Sequence, residues 1–325
     1  MALTIELGVA ELAATRFAIS PLSETVACLQ QLGGRDLHLL NLQWLRWAKD
    51  ELAREPLDLQ WTWPLIVSDR PNWPEFLVPA PRDARASIED DLIALRRTTA
   101  GQVRNSLRRV FGDDLPDTAA ALAQQPAAGL HAIATELRTA HDRLVAPHWL
   151  RIRAVLEADI IYRAKQLASG GGEKLFTDLH PELHWRDGRL MLAGERWRAD
   201  RVVKRGPGGL VLIPVILGSP YVLIKKSTST QTTVRYPARG GGAWWTARTQ
   251  PPPGSAVRLL GRVRAELLET LRSPATTTDL ARALGVTPSA VSQHLGVLRE
   301  SGLVARERYG RNVLYMTTTL GVSLL

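Results

Sequence analysis

The sequence predicts an α+β, multi-domain chain: a mainly helical N-terminal region with a small antiparallel β portion, then a separate C-terminal helical unit ending in a hairpin. Three observations predict it. Between residues 20 and 165, apolar residues recur at helical spacing behind residues suited to capping. From 175 to 236 they alternate as in strands. Three consecutive prolines, Pro251, Pro252 and Pro253, then impose an extended spacer. The expected domains are 1–250, helical over 1–168 and β-rich over 175–245, and 255–325.

In the first domain, SPLSETVACLQQL reads as a helix capped by Ser20 with Pro21 at its first position. NLQWLRWAKDELA follows, then IEDDLIALRRTTAGQVRNSLRRVFG and a long helical run from about 129 to 168. The alternating stretch turns at Asp187-Gly188 and at Gly206-Pro207-Gly208-Gly209. GLVLIPVILG is the longest apolar run; Pro214 breaks it, and its length suits a buried strand better than a membrane span.

Composition narrows the function. The 325 residues are 45% apolar and 22% charged, as in ordinary soluble proteins. One cysteine, Cys28, excludes an internal disulfide and a thiolate metal cluster within one chain. The first residues carry an early acid and no basic stretch, so no secretory leader is expected and a cytoplasmic location is. A net charge of +9 suits an acidic partner. Of the 41 basic residues only six are Lys, however, and an Arg excess also follows from a GC-rich coding sequence. Charge alone does not assign nucleic-acid binding.

The C-terminal segment is more specific. SAVRLLGRVRAELLETLRSP reads as one amphipathic helix, with Leu259, Leu260, Val263, Leu267, Leu268 and Leu271 on its stripe and Pro274 at its end. In TTTDLARALG, Thr276 and Asp279 form a capping box and Gly285 is placed to end the helix left-handed. Thr287 caps the next helix, with Pro288 first in it. Val291, Leu295 and Leu298 face inward, while Ser289, Ser292, Gln293 and Gly296 point away. An outward face of hydroxyls and an amide suits the mixed donors and acceptors of a major-groove floor. After Gly302, LVARERYGRNVLYMT reads as a hairpin anchored by Val304, Val313 and Tyr315, turning at Tyr309-Gly310-Arg311-Asn312 and decorated by Arg306, Arg308 and Arg311. The arrangement is a winged helix-turn-helix.

TTTDLARALGVTPSAVSQHLGVLRESGLV and RERYGRNVLYM resemble the ArsR-type winged-helix repressors. The resemblance implies a homodimer that sets helix 288–300 into successive major grooves of double-stranded operator DNA, roughly 34 Å apart. It also implies that Ser289, Ala290, Ser292, Gln293 and His294 lie near bases or phosphates, with Arg308 and Arg311 at phosphate or minor groove. With the cap and the hairpin residues, the candidate DNA-contacting set is Thr287, Ser289, Ala290, Ser292, Gln293, His294, Arg306, Arg308, Arg311 and Asn312. Pro288 and Ala290 depart from the pattern by removing hydrogen-bonding groups, which shifts readout toward apolar contact with a thymine methyl. His294 has two readings, a phosphate contact or a bond to a backbone carbonyl.

The cysteine pairs of the family's metal sensors are missing from TDLARALG, and the chain ends at TTTLGVSLL without metal-ligating residues. His180, Glu182 and His184 in HPELH lie in a loop entering a hairpin, so no metal and no cofactor are expected. SPLSETVACLQQL, LVPAP, GGLVLIPVILGSP and VRYPARGGGAWW resemble a subgroup of these regulators with a long, poorly characterised N-terminal domain, which implies an effector-sensing role. Ten of the nineteen aromatics are Trp. Trp44, Trp47, Trp61, Trp63 and Trp73, with Tyr236, Arg239, Trp244 and Trp245, either line a pocket for a flat apolar organic ligand or are core. The run Arg96, Arg97, Arg104, Arg108, Arg109 is either a solvated face or a phosphate-binding one. No G-x-x-x-x-G-K-[ST] or G-x-S-x-G is present, so no enzyme is expected. The N-terminal domain is thus read as ligand-responsive in a repressor, or alternatively as a protein-interaction module.

Overall fold

The computed structural model describes residues 2–34, 38, 41–68, 70, 72–193, 201–202, 206, 208–225, 231–240, 254–271, 275–309 and 312–325. The chain is α+β and forms two compact units, one of residues 1–37 with 49–239 and one of residues 38–48 with 240–325. The triple proline and its flanks, with Trp244 and Trp245, lie outside the described residues.

The first unit begins with β1 (Ala2–Glu6), α1 (Val9–Ala13) and β2 (Arg16–Phe17), although the opening of the chain was expected in the helical half. Its helices are α2 (Pro21–Leu32), α3 (Leu42–Arg54, whose first seven residues group with the second unit), α4 (Trp63–Ile66), α5 (Ile88–Arg96), α6 (Ala100–Phe111), α7 (Asp117–Gln124), α8 (Pro126–Leu144) and α9 (Trp149–Leu179). Caps fix several starts. The Ser20 hydroxyl accepts from the Ser23 amide 2.9 Å away, with Pro21 first in α2, as the sequence predicts. Ser87 and Thr99 form complete capping boxes on α5 and α6.

The strands β3 (Leu183–Arg186), β4 (Arg189–Ala193), β5 (Arg201–Val202), β6 (Val211–Val215), β7 (Leu223–Ile224) and β8 (Thr233–Pro237) complete two four-stranded sheets. One runs β3-β4-β1-β5, with the β3–β4 hairpin turning at Asp187-Gly188. The other runs β2-β6-β8-β7 and is mixed: β2, β6 and β8 are parallel, and β7 joins antiparallel. Leu3, Ile5, Leu190, Leu192, Leu212, Val234 and Tyr236 from both sheets share one core with Phe176 and Leu179 of α9. On the other face, Val211, Ile213 and Val215 pack with Ala18 and with Ala27 of α2. β6 is therefore covered on both sides, which is why its sequence is a continuous apolar run instead of an alternating one. Each fully buried Leu or Val of this kind stabilises by about 1.5–3 kcal/mol.

The second unit contains α10 (Gly254–Leu260), α11 (Arg262–Thr270), β9 (Ala275–Thr276), α12 (Thr277–Leu284), α13 (Pro288–Glu300), β10 (Val304–Tyr309), β11 (Asn312–Thr317) and α14 (Thr319–Val322). The single helix expected over 255–272 is two. Gly261 sits at φ 80°, a backbone that glycine adopts cheaply, and breaks it. Downstream of the break Leu267, Leu268 and Leu271 are buried, while Leu259 is largely exposed. Of the stripe read from sequence, Leu260 still packs against the core ahead of the break, and Leu259 does not.

Candidate functional site

The Thr276 hydroxyl accepts from the Asp279 amide (3.2 Å) and donates to the Asp279 carboxylate (2.7 Å), fixing the start of α12. Gly285 ends α12 in the left-handed region, at φ 66° and ψ 29°. Thr287 then caps α13 by accepting from the Ala290 amide (3.3 Å), with Pro288 at the first helical position. Val291, Leu295 and Leu298 are buried with Leu267, Leu268, Leu280 and Leu303. Ser289, Ser292 and Gln293 are exposed, and Ala290, His294 and Gly296 are half-buried beside them. Packing thus fixes one side of α13 and leaves its polar side free in solvent.

The hairpin pairs Val304 with Thr317, Arg306 with Tyr315 and Arg308 with Val313, and β9 adds a third strand through Leu314 and Tyr315. The Thr317 hydroxyl donates to the Leu268 carbonyl (2.8 Å) and its amide to the Leu271 carbonyl (2.8 Å), so the wing base is tied to α11. Val304 is buried and Tyr315 partly so. Val313, expected as an anchor, is exposed, and Leu314 is buried in its place. Alternation puts these neighbours on opposite faces of the sheet. Arg306 is exposed; the side chains of Arg308 and Asn312, and all of Arg311, lie outside the described residues.

Residues 259–307, from the end of α10 into the wing, match the model of a helix-turn-helix domain. The chain is also 49% identical over 53 residues to the HTH-type transcriptional regulator NmtR of Mycobacterium tuberculosis, covering 16% of this chain and 44% of that relative. The C-terminal domain is a helix-turn-helix of the ArsR type. Ahead of it, residues 107–242 match a family of unknown function (DUF5937). No solved structure matches the chain significantly. Within the ArsR-type domain, the cap Thr287, the outward face of α13 and Arg306 are the described part of the predicted DNA-contacting set.

The predicted effector residues are spread over several places. Trp44 is fully buried, its ring centroid 6.4 Å from that of half-buried Trp47. Trp61 lies beside Gly129, and the Trp61 and Thr62 amides donate to the Glu136 carboxylate at 3.0 and 2.8 Å. Trp63, half-buried, starts α4. Trp73 lies over the Arg235 guanidinium, 5.4 Å from ring centroid to Cζ. Tyr236 points into the sheet core and donates to Asp159 at 2.8 Å. Arg239 stacks on Tyr162 at 3.6 Å and pairs with Asp178. In the arginine run, Arg96 pairs with Glu89 and Arg109 with Glu75. Near HPELH, one His180 ring nitrogen lies 3.0 Å from the Pro220 carbonyl and the other accepts from the Glu182 amide. Among the described residues no set of three His, Cys, Asp or Glu is arranged to hold a metal, and no helix is long and apolar enough to cross a membrane.

The sequence reading missed a buried polar group around the start of α2. Asp91 accepts from the Ser20 hydroxyl (2.7 Å) and the Leu22 amide (3.1 Å); burial nevertheless pushes its carboxyl up to about 7. Glu24 accepts from the Ile216 and Leu217 amides, both at 2.8 Å, and burial pushes it to about 7 as well. Arg235, buried on β8, donates to the Ser23 carbonyl at 3.1 Å, and burial lowers its guanidinium to about 10. One signal was available: in TVRYP an Arg stands two residues from Thr233 and Pro237, on the face of a strand that neighbours the apolar β6.

Proposed function

We propose that the chain is a sequence-specific DNA-binding transcriptional regulator: a homodimeric repressor released from its operator by a small organic ligand bound in the N-terminal region. The observation that carries this reading is the hydroxyl and amide face of α13, exposed on a helix whose other face is locked by Val291, Leu295 and Leu298 in an ArsR-type domain. Such a face approaches base edges closely and hydrogen-bonds them, while Arg306 and its wing neighbours meet phosphate. The curated relative is named as a transcriptional regulator, which supports the same role. Repression is the sense proposed because winged helices of this type occlude promoters.

A dimer presents two such helices at the spacing of successive major grooves. A ligand that favours another relative arrangement lowers affinity, and about 1–3 kcal/mol of coupling amounts to about a 5- to 150-fold change. An organic ligand is proposed over a metal because α12 carries no cysteine and the one thiol, Cys28, is buried in α2 with its pKa driven up by burial.

The test is a gel-shift titration of the purified protein against its own upstream DNA at two salt concentrations. A specific shift that weakens with salt is expected, with Gln293→Ala relaxing sequence preference and Arg308→Ala weakening all binding. No specific shift at either salt would remove the regulator reading and advance the protein-interaction alternative.

A further inference from the structure

We propose that Arg235 anchors a small aromatic carboxylate, with Ser23 as its second polar contact and Trp73 as its stacking wall. The proposal rests on the N-terminal region being the effector-binding part, and it names the class of effector.

The strand places the anchor. Arg235 is paired with Ile213 of β6 on one side and Leu223 of β7 on the other, so its side chain leaves the sheet on the face covered by α2. It is 5% exposed. Among the described residues its one hydrogen bond is Nη2 to the Ser23 carbonyl, and Nε and Nη1 have no partner there. The Ser23 hydroxyl, on the residue whose carbonyl Arg235 holds, is fully buried and also has no partner among the described residues. A buried donor without a partner carries an uncompensated desolvation cost, larger when the donor is charged. Two guanidinium nitrogens, and a hydroxyl on the residue that Nη2 contacts, therefore remain open to an acceptor.

The acids close by do not supply it. Both Glu24 oxygens accept from the Ile216 and Leu217 amides, and Asp91 is taken by Ser20 and Leu22. Glu24 is nonetheless the acid whose charge acts on Arg235, and a second cation stands on the same face. Lys225 lies two residues beyond Leu223, its ammonium lowered by burial and drawn toward Glu75. Arg235 and half-buried Lys225 thus add positive charge to a face that also holds Glu24.

The apolar half of the ligand follows from Trp73. Its ring covers the guanidinium at 5.4 Å and is itself only half-buried, so it offers a flat wall at the edge of the site. A guanidinium that hydrogen-bonds an acceptor in its plane and stacks an indole on its face is suited to a flat acid, whose carboxylate and ring occupy those two directions. An amide of the same shape cannot use the charge.

The test is titration calorimetry of the full-length protein with benzoate, phenylacetate and indole-3-acetate, with benzamide as the neutral isostere. At least one acid is expected to bind while benzamide does not. Arg235→Met is expected to weaken that acid by at least ~10-fold and Ser23→Ala by a few fold, as for the loss of a charge-assisted and a neutral hydrogen bond. Should Arg235→Met fail to fold, the Ser23→Ala titration and the acid-against-amide contrast decide. Failure of all three acids to bind, equal binding of benzamide, or unchanged affinity in both variants overturns the proposal. Operator binding, measured separately with and without the acid, keeps the two readings apart. Acid binding that leaves operator affinity unchanged retains this site and removes ligand-released repression; operator binding without any acid binding does the reverse.

Discussion

The Tyr236 hydroxyl and the Asp159 carboxylate meet 2.8 Å apart in the interior of the first unit, joining β8 to the middle of α9. Asp159 also accepts from the Arg239 amide at 3.0 Å and lies 3.4 Å from Arg163, which in turn reaches Asp178. Burial and the neighbouring acid keep the Tyr236 phenol protonated far above its usual range, so it serves as a donor throughout. This network fixes the last described residues of the strand before the proline-rich spacer begins.

Removing the hydroxyl leaves a buried carboxylate short of one donor. Tyr236→Phe is expected to destabilise the first unit by about 1–3 kcal/mol. Asp159→Ala, which removes the acceptor of the Tyr236 hydroxyl and the Arg239 amide and leaves buried Arg163 with Asp178 alone, is expected to lose about 3–5 kcal/mol. Urea unfolding of the two variants beside the parent checks the order.

The carboxyls of Glu24 and Asp91 give a pH dependence of definite sign. Their reference values of 4.5 and 3.8 rise to about 7 on folding. Between those limits the folded protein keeps protons that the unfolded chain has released. Stability from these groups is full below about pH 4 and is lost as pH rises through about 7, by on the order of 3 kcal/mol each. The urea midpoint is expected to fall between pH 5 and pH 8. Glu24→Gln, which keeps the volume and one acceptor, is expected to flatten that fall by about half. A midpoint that rises over the same range would contradict the assignment.

Leu295 is buried at the centre of the helix-turn-helix core, between α12 and the base of the wing. Leu295→Ala is expected to lower the stability of the second unit by about 2–5 kcal/mol. The loss of operator binding should then track the unfolded fraction in a thermal scan, because no DNA-facing atom has been removed.

The second unit was legible because its signals are local. Thr276 with Asp279, Gly285, and Thr287 with Pro288 each fix a helix end through neighbours within three residues, and the 3.6-residue spacing of Val291, Leu295 and Leu298 sets the inner face. Leu259 was misplaced on the stripe because the period continues through Gly261, while the backbone does not. In the first unit the helix caps were legible for the same local reason. The sheets were not, because β1 pairs with β4 across nearly 190 residues and β2 with β6 across nearly 200, and a two-residue strand such as Arg16–Phe17 has no period to read. The Trp residues pointed to a shared pocket only as a group. Their partners, Gly129 and Glu136 for Trp61 and Arg235 for Trp73, come from distant segments that spacing does not reveal.

The most direct measurement is the specificity ratio of α13. The wild type and Gln293→Ala are titrated by fluorescence anisotropy against the operator and a scrambled duplex of equal length, at one physiological salt concentration. The wild type is expected to favour the operator by at least ~10³-fold. In Gln293→Ala that ratio should fall by about 5- to 150-fold, from weaker operator binding alone, with affinity for the scrambled duplex unchanged. Equal affinity of the wild type for both duplexes, or an equal loss on both in the variant, would contradict base recognition by this helix.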